Sequence, residues 1–175
     1  MKMNLKPQDI LFLLKLVVLD KKSWSFNKLA VELEMSPAEV HAAAKRSMTA
    51  NLAVKKDQDI LVNVRNLKEF LFHGIQYVFM PERGAVSRGM PTAHACPPLS
   101  EQFVEDGELP PVWPDPEGEV RGESFSPLYR SAPMAAKKDP DLYQLLALVD
   151  ALRGGRVREK QLAKQEMKKR LNRYG

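Results

Sequence analysis

A single cysteine, Cys96, and three histidines, His41, His73 and His94, leave this chain little material for several kinds of chemistry. One thiol excludes an internal disulfide and any cysteine-based zinc cluster within one chain. Long apolar runs are also scarce. The run from Ile10 to Leu19 is about ten residues, roughly half of a membrane span. No small-residue cleavage site follows it, so the start does not read as a secretory signal and the expected location is the cytoplasm. A phosphate-cradling glycine loop is missing too, because Arg88-Gly89-Met90 lacks both the spacing and the lysine of a P-loop. His94 stands two residues before Cys96, but a nucleophile pair needs an orienting carboxylate that spacing alone does not supply. The expectation is therefore no catalysis, no cofactor and no metal.

What is present is enough for a core. Apolar residues make up 44% of the 175, which argues against wholesale disorder. The net charge is +5 and unevenly placed. Lys and Arg outnumber Asp and Glu by 12 to 8 over residues 1–80 and by 11 to 5 over 137–175, whereas acids lead by 9 to 4 over 81–136. Two basic ends flanking an acidic middle favour an acidic partner such as nucleic acid.

Three segments follow from the patterning: 1–80, 81–138 and 139–175. In the first, Pro7 to Leu19 reads as a helix that is apolar on nearly every side, hence central in the domain or packed against a second subunit. Ser25 is a plausible N-cap for a short helix with Phe26, Leu29, Ala30 and Leu33 on one face. Glu34-Met35-Ser36 is the turn. Ser36-Pro37-Ala38-Glu39 then reads as a capping box that opens a second helix running to Thr49. Its inner face is Val40, Ala43, Ala44, Ser47 and Met48. Leu52-Ala53-Val54 and Ile60-Leu61-Val62 are β-prone runs joined by a charged tip, Lys55 to Asp59. A helix from about Val64 to Val78 closes the segment.

Eleven of the thirteen prolines lie between Pro81 and Pro140, and no helical or strand period survives there. Phe103, Val112, Trp113, Phe125, Leu128 and Tyr129 are scattered through it. Two readings stay open: an extended segment laid over a folded surface, or disorder. Its acidic stretch Glu101–Glu108 is either a solvated loop or a shield for a basic surface. Order returns at Asp139-Pro140-Asp141, a helix start followed by the stripe Leu142, Leu145, Leu146, Val149 and Leu152. Gly154-Gly155 ends that helix, and a polar, basic one from Arg156 to Leu171 completes a C-terminal pair. Its cations either extend a phosphate-contacting surface or favour the helix end itself.

The fold class expected is mainly α: an α+β winged helix with a small two-stranded wing, then the proline-rich segment and the helical pair. Residues 5–80 resemble the winged helix-turn-helix domains of bacterial transcriptional regulators, broadly of the MarR-like kind. The matching residues are Leu29-Ala30, Leu33, Ser36, Val40, Leu52 and Val62-Asn63. The resemblance implies binding of double-stranded DNA by the helix Pro37–Thr49, and dimerisation, though the dimerising helices of that family have no counterpart after Val78.

The second helix of such a pair enters the major groove, where base edges differ. The candidate DNA-binding residues are Ser36, His41, Lys45, Arg46 and Thr49 on it, with Lys55 and Lys56 on the wing. Lys45 and Arg46 are candidates for phosphates or guanine edges. The function expected is a sequence-specific transcriptional regulator, a repressor or antitoxin-like autoregulator, acting as a homodimer. The alternative is a winged-helix adaptor in a multi-protein complex, for example in phage defence, with a protein partner on residues 81–175. The surface around Lys45, Arg46, Lys55 and Lys56 discriminates: cover by Glu101–Glu108 favours the adaptor, or an autoinhibited regulator.

Overall fold

The computed structural model describes residues 3–175. The apolar run of the first segment forms helix α1, Pro7–Leu19, and its all-round hydrophobicity is matched by all-round burial: Ile10 to Leu14 are fully enclosed. Pro7 takes the first turn, where a missing N–H is harmless. The turn is closed by the Lys6 N–H donating to Asp9 Oδ2 at 2.8 Å. The central position expected for this helix is what the structure shows, with α3 and α7 among the elements packed on it.

α2 (Phe26–Leu33) and α3 (Pro37–Thr49) follow as their caps dictate. Ser25 Oγ accepts the Lys28 N–H at 3.1 Å. Ser36 Oγ accepts the Glu39 N–H at 3.1 Å, and Glu39 Oε2 accepts the Ser36 N–H at 2.7 Å. Between the helices Glu34 adopts a left-handed conformation, φ 53°. The hairpin is β1 (Ala53–Lys56) and β2 (Asp59–Val62), in antiparallel register from Ala53 with Val62 to Lys56 with Asp59. Its tip is shorter than the sequence implied: Lys55 and Lys56 belong to β1, and Asp57 makes the turn at φ 54°. The next helix is also shorter than expected. α4 (Val64–His73) stops at Gly74, and a single turn, α5 (Ile75–Val78), follows. A Cβ on Gly74 would stand 3.1 Å from the Phe70 ring, so the chain is closely packed at the break.

The proline-rich segment is folded, so of the two open readings disorder is excluded, and it forms strands that no sequence period marked. β3 (Arg83–Pro91), β4 (Pro111–Pro114) and β5 (Val120–Phe125) each pair with the other two and close on themselves, β4 and β5 in parallel. The ladders are only two to five pairs long, so a strand with proline at its ends loses few N–H bonds. Glycine makes the closure possible. A Cβ on Gly89 would lie 1.9 Å from the Trp113 carbonyl oxygen, and one on Gly122 2.1 Å from that of Pro110. Helix α6 (Ala132–Lys138), also unexpected, leads into α7 (Pro140–Gly154) and α8 (Val157–Asn172), each starting within a residue of its anticipated place.

The molecule is thus α+β, with eight α-helices, a two-stranded and a three-stranded sheet among the described residues. One apolar cluster runs from Ile10 through Trp113 and Leu128 to Leu171, joining all three segments. At its centre Asp150, 1% exposed, accepts from Thr92 Oγ1 (2.6 Å), Trp113 Nε1 (2.8 Å) and Arg153 Nη1 (2.7 Å). A buried carboxylate survives only with such partners, and these tie β4 to α7.

Candidate nucleic-acid interface

Helix α3 buries Val40, Ala43, Ala44 and Ser47 and leaves Ser36, Pro37, Ala38, His41, Lys45 and Thr49 outside. The outward residues are not equally available. The Ser36 hydroxyl oxygen already accepts the capping bond, leaving its O–H to donate. His41 stacks on Phe26, with centroids 3.8 Å apart and planes 21° from parallel, so one ring face is used and the ring's place is fixed. Phe26 in turn meets Trp24 edge-on at 5.2 Å, which anchors the histidine to the core through an aromatic row. Thr49 Oγ1 donates to the Lys45 carbonyl at 3.0 Å. Lys45 is exposed.

Arg46 is placed differently from its expected role. Its Nε and Nη2 grip the Asp9 carboxylate at 2.8–3.1 Å, and its side chain is 12% exposed against 0% for Asp9. The pair fastens α3 to α1. A guanidinium committed in this bidentate fashion has no fork left for a guanine edge. The signal was in the sequence: a single acid, Asp9, in a helix buried on every side requires a base from elsewhere.

A second cation enters the region from outside the predicted set. Arg130 Nη2 lies 3.0 Å from Glu39 Oε1 at the start of α3, and its side chain is 77% exposed. Tyr129 donates its hydroxyl to the same oxygen at 3.2 Å. The Ser36 N–H, then Tyr129 and Arg130, hold the Glu39 carboxyl below the usual range. Nothing near residue 130 in the sequence marks this role; it follows from the chain returning past α3 between β5 and α6.

Lys55 and Lys56 are exposed on β1, on alternate faces of the strand. Among the described residues no carboxylate lies within 4 Å of Lys45, Lys55 or Lys56. The acidic stretch does not cover them. Glu108 pairs with Arg156 at 2.9 Å, and Phe103 packs beneath Arg158, so Glu101–Glu108 lies against the start of α8.

A cavity of about 430 Å³ sits beneath that stretch and includes His94, Ser100, Phe103 and Glu105–Glu108 in its walls. His94 Nδ1 is 3.1 Å from Glu159 Oε1, so the histidine has a carboxylate. Cys96 is not in those walls. It is buried, its Sγ facing the Pro97 carbonyl at 3.4 Å, and burial pushes the thiol up to about 11. A histidine–carboxylate pair without a thiolate beside it has no nucleophile of the expected kind. No group of His, Cys, Asp and Glu among the described residues is arranged to hold a metal ion, and no helix there is long and apolar enough to cross a membrane.

No protein-family model, curated protein or solved structure matches this chain.

Proposed function

We propose that residues 5–80 form a winged helix-turn-helix and that the protein is a sequence-specific regulator of transcription, a repressor or autoregulator, binding double-stranded DNA. In this reading α3 enters the major groove and presents His41, Lys45 and Thr49 to base edges and phosphates. The hairpin carries Lys55 and Lys56 to the flanking backbone, and Arg130 adds a phosphate contact at the start of α3. The observation that carries the reading is that Lys45, Lys55 and Lys56 are exposed and in no ion pair with a described residue, with the stretch Glu101–Glu108 lying against α8 instead. Two copies would bind half-sites about one helical turn apart.

The test is a mobility-shift titration on the gene's own promoter fragment and on a scrambled duplex, at two salt concentrations. Promoter-selective binding that weakens with salt supports the proposal; equal binding to both duplexes removes the claim of specificity.

A further inference from the structure

The outer edge of β2 is open. Asn63 N–H donates to the Leu52 carbonyl at 2.8 Å, one position beyond the ladder that sets Ala53 opposite Val62 and Lys55 opposite Ile60. Bonded and non-bonded pairs alternate along antiparallel strands, so the backbone groups of Ile60 and Val62 point away from β1. Val62 shows this directly: its N–H donates outward to the Tyr174 hydroxyl at 3.0 Å. Among the described residues nothing engages the outward N–H and carbonyl of Ile60 or the carbonyl of Val62.

These groups face a cleft of about 950 Å³. Its other wall is the loop Asp20–Phe26, with partly buried Trp24 and Phe26, and Tyr174 and Gly175 also line it. Lys21 and Lys22 stand exposed on that loop and Arg173 is exposed beside Tyr174; none of the three is in an ion pair with a described residue. Two acids also line the walls, Asp20, which accepts the Gly175 N–H at 2.9 Å, and Asp59; the three cations outnumber them.

We propose that this cleft receives an extended acidic segment of a partner protein, which adds to β2 as a third strand. The open edge supplies both donors and acceptors at strand spacing, the aromatic and aliphatic walls suit alternate side chains, and the cations suit acids between them. A nucleic-acid strand fits less well, because its phosphates cannot satisfy outward carbonyls and would be repelled by them. The site adjoins the proposed DNA-reading face, sharing the hairpin and Phe26 with it, but it uses the outer edge of β2 and stands whether or not that reading holds.

The probe is a labelled, capped heptapeptide, Glu-Ile-Glu-Val-Asp-Ile-Glu, titrated with the full chain and followed by anisotropy and by tryptophan fluorescence. Saturable binding is expected, unchanged by Lys45→Ala and weakened at least about tenfold by Lys21→Glu with Lys22→Glu. Ile60→Pro removes one outward N–H without touching the ladder and should also weaken it. Should that variant misfold, N-methylation of the peptide at alternate residues tests the same bonds from the ligand side, with a loss of about tenfold expected. Absence of saturable binding, equal binding of methylated and unmethylated peptides, or displacement of the peptide from Trp24 by an oligonucleotide would overturn the proposal.

Discussion

Arg46 and Asp9 show how a side chain with the right chemistry for one task can be occupied by another. Removing one partner of a buried pair leaves the other charge stranded, so Arg46→Ala should destabilise the protein by about 3–5 kcal/mol in urea unfolding. Replacing both, as Asp9→Leu with Arg46→Met, should recover all but about 1 kcal/mol, the remainder being the lost cap on the Lys6 N–H. Any Arg46→Ala protein that is folded should bind DNA as the parent does; selective loss of operator binding would return Arg46 to base reading. Cys96 makes a second prediction at this scale. Its thiol is pushed up to about 11 by burial, while an unfolded cysteine ionises near 9. The folded state therefore holds its proton longer, and the stability this contributes is complete below about pH 9 and lost as pH rises toward 11. Unfolding measured across that window should fall less steeply in Cys96→Ala, and native Cys96 should resist a thiol reagent at pH 8 until the protein is unfolded.

Local signals decided most of the elements, and where they failed the cause was long-range. The cap at Ser25, the capping box at Ser36, the prolines at 7, 37 and 140, and the glycines at 154–155 act within a few residues, so α1, α2, α3, α7 and α8 were legible at their starts. β3, β4 and β5 were not, because their pairing joins residues far apart and carries no period. What marks them is Gly89 and Gly122, whose need for a missing Cβ appears only once Trp113 and Pro110 are in place. The outward face of α3 was legible from its spacing; Arg130 was not, because it reaches Glu39 across 91 positions. The β1–β2 hairpin carries the prediction that belongs to this scale. Lys55→Ala should weaken binding to every duplex about equally and flatten the plot of log K against log salt by about one unit. An unchanged slope would take Lys55 off the phosphate backbone.

Across the whole molecule, the C-terminal half encloses α1 through α7 and leaves the outward side of α3 and the hairpin uncovered. The acidic middle satisfies the basic start of α8 through Glu108 and Arg156. Lys45, Lys55 and Lys56, on the face proposed to meet DNA, stay outside every ion pair among the described residues. The most direct test is an anisotropy titration of the promoter fragment with the parent and with His41→Ala combined with Lys45→Ala, a pair of exposed changes that should leave the thermal unfolding midpoint close to the parent's. The parent should prefer promoter to scrambled duplex, and the double variant should lose most of that preference, by about 1–3 kcal/mol for each base contact removed. No binding by the parent at low salt, or a double variant as selective as the parent, would contradict it.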